Sequence, residues 1–446
     1  MDPIVVVGAG VTGCVIAARL VSEGYKIILI EKDSRIGGLA KTFRYGDFIF
    51  DIGPHRFFTH KKRVYKFIKE TLRGNYNIIP RRSDVFFLDK YYSWPLRPTV
   101  LFNLPLSTSM KSAWDLLLMG IRRNKKSSDT FEDYILKNYG PSLYNIFFKE
   151  YTEKFLGYSP SDVHSQWAKE SMRRTIIDER IASRHLFDML KLFFKFRPIR
   201  TEFIYPRGGT DIFCRNLAEE IISKGGEILT NTSIKYANAF GGKINQVYIN
   251  GAKIDIDRII WTGPLDAISY LLDVPCDGLE YLSLVVFNIE LKSPIDKNFQ
   301  WCYYGSRDIV FSRVTIPPVF SKNLAPEGTG SLCVEITCST HGELWNDPQK
   351  YLDRVKSDLL KVGLIKNRDC IRKIHIEKIR NAYPIYKLDY MQRLKTVMGN
   401  LGKFENLRLA GRTALFWYNN MDDSIENGLE VADDTVKERD EILIIR

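Results

Sequence analysis

Ile4-Val5-Val6-Val7-Gly8-Ala9-Gly10-Val11-Thr12-Gly13 opens the first folded unit of the chain and decides its fold class, α/β. Four β-branched residues in a row suit a strand buried on both faces of a parallel sheet. The glycines follow at once. Apolar residues at Val15, Ile16, Ala18, Leu20 and Val21 then predict a helix that Gly24 ends. Lys26 to Ile30 reads as a second strand closing on Glu31, which completes a βαβ unit of about thirty residues. Gly8 permits the tight turn, Gly10 lets backbone approach a pyrophosphate, and Gly13 lets helix and strand pack closely. Thr12 lies on the first turn of the helix, whose unpaired N–H groups face the phosphates. Glu31, about 20 residues on, can accept both hydroxyls of an adenosine ribose. An acid there suits a free 2′-hydroxyl, so the expected ligand is FAD or NAD and not NADP.

The rest of the composition sets bounds. A chain of 446 residues, 45% hydrophobic, can bury a large core in two or three domains. Its 65 Lys+Arg against 53 Asp+Glu give a net charge of +12, which favours anionic partners. The basic residues are scattered among acids, with no run of five and no nucleic-acid module, so no nucleic-acid partner is expected. Seven cysteines, an odd number without metal-ligand spacing, read as reduced thiols of a cytoplasmic protein, and no metal site is expected. Met1-Asp2-Pro3 lacks the basic start of a signal peptide, and no apolar run is long enough to span a bilayer. Leu186 to Phe196, the nearest to one, is broken by charges at helical spacing and reads as an amphipathic core helix.

Phe48 to His55 is a short strand broken by Gly53-Pro54, which presents His55 at a strand end, where ligands of open α/β sheets bind. Residues 130 to 196 are helical by period. Residues 226 to 263 alternate in short strands, with Gly241-Gly242 and Asn250-Gly251 as hairpin turns, and 282 to 338 are again strand-rich. The last 43 residues return to α/β character: Leu407 to Ala410 as a strand, Gly411-Arg412 as its turn, Asp422 to Lys437 as a helix. The layout predicts a discontinuous cofactor domain (1–83, 204–265 and 404–446), an inserted helical domain (96–203), and a mainly antiparallel β-sheet substrate domain (84–95 and 266–403).

Several blocks carry a resemblance. Glu31-Lys32-Asp33-Ser34-Arg35-Ile36-Gly37-Gly38, with Leu39 after it, resembles the extension of the glutathione-reductase-like FAD-binding Rossmann fold, where the Arg and paired glycines wrap the pyrophosphate. Gly53-Pro54-His55-Arg56-Phe57-Phe58-Thr59 is similar to the loop of the UDP-galactopyranose mutase family whose histidine lies beside the flavin. Tyr91 to Leu96, Tyr139 to Tyr144 and Phe148 to Gly157 resemble blocks of the same family, the last two being its most diagnostic. Tyr205 to Thr210 resembles a segment shared with the wider amine oxidase and protoporphyrinogen oxidase superfamily.

The resemblance covers nearly the whole chain and implies roles. Ile234 would meet the adenine. Arg313, in Val310 to Thr315, would pair with a substrate diphosphate. Tyr383 and Tyr418 would bind that diphosphate, and Gly411, Arg412, Asn420, Met421, Asp422 and Ile425 would surround the flavin's pyrimidine side. The family's second diphosphate arginine is displaced in Trp167 to Arg174, so Arg173 or Arg174 could fill its place, and the uridine-stacking aromatic could be Trp167, Phe147 or Tyr151. The implied activity is interconversion of pyranose and furanose forms of a UDP-sugar, for cell-surface polysaccharide precursors. Reduced FAD N5 is its nucleophile, NADH or NADPH its reductant, and there is no net redox. Arg313 and His55 are the candidate catalytic residues. The alternative is an FAD oxidoreductase of the amine oxidase, protoporphyrinogen oxidase or desaturase type.

Overall fold

The computed structural model describes residues 2–94, 110–111, 114–115, 129–175 and 201–445; the side chains of 172–175 and 439–445 lie outside this description, as does the segment Leu186 to Phe196. Five parallel strands form one sheet in the order Leu407–Leu409, Arg258–Trp261, Ile4–Val7, Ile27–Ile30, Glu227–Leu229. Its central strand is the β-branched run at the N-terminus, buried throughout. The helix Val11–Ser22 packs against the helices Asp211–Ser223 and Met421–Ile445. Between helices and sheet, Val6, Ile16, Leu20, Leu29, Phe213, Leu217, Ile425 and Leu429 form one apolar core. Each such side chain contributes about 1.5–3 kcal/mol on leaving water.

A seven-stranded sheet forms the second layer, in the order Ile371–Ile385, Glu280–Leu291, Gly330–Cys338, Arg313–Thr315, Trp301–Tyr304, Ser83–Phe87, Lys90–Trp94. Its neighbours run antiparallel except Trp301–Tyr304 beside Ser83–Phe87. The hairpin residues sit where expected: Asn250 and Gly251 both take positive φ, 50° and 81°, as a two-residue turn between right-twisted strands requires.

The helix Phe131–Leu143 starts at Thr130, whose side chain accepts the Asp133 N–H, and bends at Gly140, where φ is 79° and Pro141 interrupts the hydrogen-bond ladder. The helices Glu150–Leu156 and Ser165–Thr175 follow. Two boundaries differ from the sequence reading. Gly411–Ala414 is a short helix and not a simple turn, and the last helix runs from Met421 to Ile445, beyond Lys437.

Buried Asp51 ties the layers together. Its carboxylate accepts from the Thr42 hydroxyl at 2.6 Å, the Tyr205 hydroxyl at 2.7 Å and the Thr210 N–H at 3.0 Å. This explains the Tyr205-to-Thr210 block: its two ends hold the strand that leads into the His55 turn. Gly209 is required there because a Cβ would fall 2.5 Å from Thr42 Cγ2.

Candidate active site

A cavity of about 1790 Å³ is walled by residues of both sheets. At one end lies the glycine turn. Gly8 takes φ 98°, and Gly13 approaches so closely that a Cβ on it would sit 1.9 Å from the Gly8 oxygen. Gly10 precedes the first helix without any side-chain cap, which leaves early helical N–H groups for a ligand. The second glycine pair closes onto the first: the Gly37 N–H donates to the Ala9 carbonyl at 2.7 Å, and a Cβ on Gly38 would lie 3.0 Å from Gly10 Cα. Only bare backbone fits between these turns.

Glu31 is 7% exposed, and its two oxygens accept the N–H groups of Ala9 and Asp33 at 2.9 and 3.0 Å. The carboxylate is thereby held at the strand end, with lone pairs left for hydroxyls. The C-terminal helix completes the cradle. The Thr12 hydroxyl donates to the Ser424 carbonyl at 3.1 Å, and Gly428 lets that helix lie against Val15. At its start, Asp422 is pushed up to about 6 by burial and by Asp423, which itself receives the Asn420 N–H.

The opposite wall is polar and aromatic. His55 lines the cavity, and its Nδ1 is buried with no hydrogen-bond partner among the described residues. Burial first, then the positive charges of Arg313, Arg412 and Arg56, drive its pKa down to about 3, so the ring is neutral. Arg313 is paired with Glu335 and also donates to the Tyr383 hydroxyl at 3.1 Å. Gly53 rests on that pair, since a Cβ there would meet Glu335 Oε1 at 2.6 Å and Arg313 Nη2 at 3.0 Å. Arg412 donates to the carbonyls of Ala382 and Asn419, at 2.8 and 2.6 Å, and spans the rings of Tyr383 and Tyr418.

Of the residues singled out from sequence, Gly8, Gly10, Thr12, Glu31, Lys32, Gly37, Gly38, Leu39, Pro54, His55, Ile234, Arg313, Tyr383, Gly411, Arg412, Asn420, Met421 and Asp422 line the cavity. Gly13, Gly53 and Ile425 shape it from behind by packing. Arg35 does not line the cavity: it is exposed, with its guanidinium over Phe43 at 5.8 Å, because the Gly37-Gly38 pair turns directly onto Gly10. Trp167, Tyr151 and Tyr418 do not line the cavity either. Trp167 stacks on Tyr418 at 4.4 Å, Tyr418 meets Tyr383 edge-on at 5.5 Å, and Tyr151 stacks on Phe155, which meets Tyr383 in turn. They form an aromatic buttress behind Tyr383. The side chains of Arg173 and Arg174 lie outside the described residues.

The sequence reading missed Glu335 as the partner of Arg313. A charged residue inside the apolar run Cys333-Val334-Glu335-Ile336 was the available signal.

The described thiols of all seven cysteines are free, no group of three or more His, Cys, Asp or Glu among the described residues is placed to hold a metal, and no described helix is long and apolar enough to cross a membrane.

Known proteins fit this architecture. The chain is 24% identical to the dTDP-fucopyranose mutase of Escherichia coli over 325 residues, covering 71% of this chain and 76% of that one. It is 23% identical over 440 residues to a probable UDP-galactopyranose mutase of Klebsiella pneumoniae, covering 97% and 94%. A 102-residue stretch, 23% of this chain and 20% of the other, is 35% identical to a 4,4′-diapophytoene desaturase of Staphylococcus aureus. Among solved structures, reduced UDP-galactopyranose mutase superposes with a TM-score of 0.84 at 23% identity, covering 98% and 96% of the two chains, which shows a shared fold. The model of the flavin-containing amine oxidoreductases matches residues 11–436, most of the chain, and the chain belongs to that flavoenzyme family.

Proposed function

We propose that this chain is an FAD-dependent sugar-nucleotide mutase that interconverts pyranose and furanose forms of a UDP-sugar. The observation that carries the reading is the wall around His55. Arg313, Arg412 and Tyr383 bring guanidinium and phenol groups to a single cavity, a donor set suited to a diphosphate and unsuited to an apolar amine or polyene. Similarity along most of the chain to two proteins named as sugar-nucleotide mutases supports it.

In this reading the parallel-sheet unit is a glutathione-reductase-like Rossmann domain. With FAD bound, Glu31 would hold its ribose hydroxyls, the first helix its pyrophosphate, and the Met421 helix start its pyrimidine side. When bound and reduced by NADH or NADPH, FAD would supply a nucleophilic N5 for the anomeric carbon. The protein's own residues orient and stabilise. Tyr383, backed by its aromatic neighbours, presents a hydroxyl to the diphosphate. Arg412, fixed by two carbonyls, presents its charge without reorganising. Neutral His55 would turn its unpartnered Nδ1 toward the flavin edge.

The test is to incubate the dithionite-reduced protein with UDP-galactopyranose and other nucleotide sugars and to separate the products. Furanose formation only after reduction, without oxygen consumption, is expected. Oxygen uptake with an amine or polyene substrate, and no sugar conversion, would instead establish the oxidoreductase reading that the desaturase-like stretch favours.

A further inference from the structure

Lys154, on the helix Glu150–Leu156, donates from its ammonium to three main-chain carbonyls, those of Ser306 at 2.9 Å, Phe311 at 3.0 Å and Ile309 at 3.2 Å. All three belong to the segment between the strands Trp301–Tyr304 and Arg313–Thr315, so one amine matches its three hydrogens to the loop that delivers Arg313 to the cavity. The loop is gripped from its other side by the helix Leu352–Lys361. There Asp358 accepts the Val310 N–H at 2.7 Å and Arg354 Nε at 3.0 Å, and Lys361 faces Asp308 at 3.9 Å. Glu153 pairs with Arg307. Among the described residues no carboxylate pairs with Lys154 itself, and an apolar side chain would fill the same space without a charge to desolvate. Burial pushes its amine down to about 7 against the pull of Asp358 and Glu150.

The same helix braces the rest of that wall. The Phe155 carbonyl accepts the Thr337 hydroxyl at 2.7 Å, two residues beyond Glu335 on its strand, and the Phe155 ring meets that of Tyr383 edge-on at 5.0 Å. Adjacent residues of one helix thus support Arg313, Glu335 and Tyr383 together. We propose that Lys154 is a positioning residue: by tying the 306–311 carbonyls to this helix, it fixes the direction in which Arg313 faces the substrate's diphosphate. This rests on the sugar-nucleotide reading for the identity of the ligand. Only the protonated amine makes all three bonds. A neutral amine has two hydrogens and a lone pair that opposes the third carbonyl, so the loop loosens, and diphosphate binding weakens, as the pH rises through about 7.

The experiment titrates the FAD-loaded protein with UDP and with inorganic pyrophosphate, following the flavin absorbance, for wild type, Lys154→Met, Arg313→Lys and the double variant. At about pH 6 Lys154→Met is expected to weaken UDP about tenfold, at about pH 8.5 about twofold at most, and in the Arg313→Lys background about twofold at most at either pH. Comparing the proteins at each pH cancels the titration of the ligand and of the flavin, which all four share. Lys154→Gln, which keeps N–H donors without the charge, replaces the methionine variant if that one does not fold. UDP bound equally by wild type and Lys154→Met, or weakened by a factor that ignores the pH or the identity of residue 313, would overturn the positioning role and leave the mutase reading standing. Wild type that ignores UDP but binds pyrophosphate, with the same dependence on Lys154 and Arg313, would keep the positioning role and reject the sugar nucleotide. Wild type that binds neither anion would overturn both.

Discussion

Arg313 and Glu335 stand opposite one another on neighbouring antiparallel strands and meet at two points, Nε to Oε1 at 2.7 Å and Nη2 to Oε2. Glu335 is 1% exposed, so each charge depends on the other. The cation proposed to bind the diphosphate must here also serve the fold.

Arg313→Ala is therefore expected to lose about 3–5 kcal/mol of stability in urea denaturation, because a buried carboxylate is left uncompensated. Removing Glu335 as well should restore part of the loss. In the folded fraction, kcat/KM for the nucleotide sugar should fall by about two powers of ten. A single variant as stable as wild type would show that the pair is dispensable.

Gly13→Ala places a methyl group 1.9 Å from a carbonyl oxygen that cannot retreat without opening the turn. The expected protein is colourless, or is purified with a small fraction of the wild-type flavin content, as read from absorbance per mole of chain. Normal flavin content would show that the helix can shift.

Glu31→Gln keeps the shape but exchanges a carboxylate that receives two backbone N–H groups for an amide that offers hydrogens in one direction. FAD affinity should drop by about tenfold or more in a dialysis or fluorescence titration, since a charge-assisted contact is lost. An unchanged dissociation constant would remove Glu31 from the ribose site.

His55 is held at about 3, against an ordinary value of 6.5, so the fold favours its neutral form. A base whose folded value is depressed adds a stabilisation that is complete above about pH 6.5 and disappears as the pH falls toward 3. Relative to His55→Gln, wild type should thus lose stability steadily from pH 6.5 to 4 in matched urea melts. Parallel curves for the two proteins would contradict the assignment.

What could be read from sequence was local. The run Ile4 to Val7, the glycine spacing and Glu31 are neighbours in the chain, and periodicity with turn chemistry fixes their shape, as it does for the Asn250-Gly251 hairpin. The partner of Arg313 could not be read that way. It depends on the register of two strands that sets Arg313 opposite Glu335, 22 residues further along the chain, which no periodicity reports. The exposure of Arg35 could not be read from spacing either, because the backbone turn of Gly37 and Gly38 decides which way the side chain leaves.

The hydrogen bond from Thr12 to Ser424 has a consequence for the order of events during synthesis. The first glycine turn is braced by a helix that follows it by about four hundred residues, and one edge strand of its sheet, Leu407–Leu409, comes hardly earlier than that helix. A nascent chain arrested near residue 400 is thus expected to remain apo even in excess flavin, and colour should appear only once the Met421–Ile445 helix has cleared the exit tunnel.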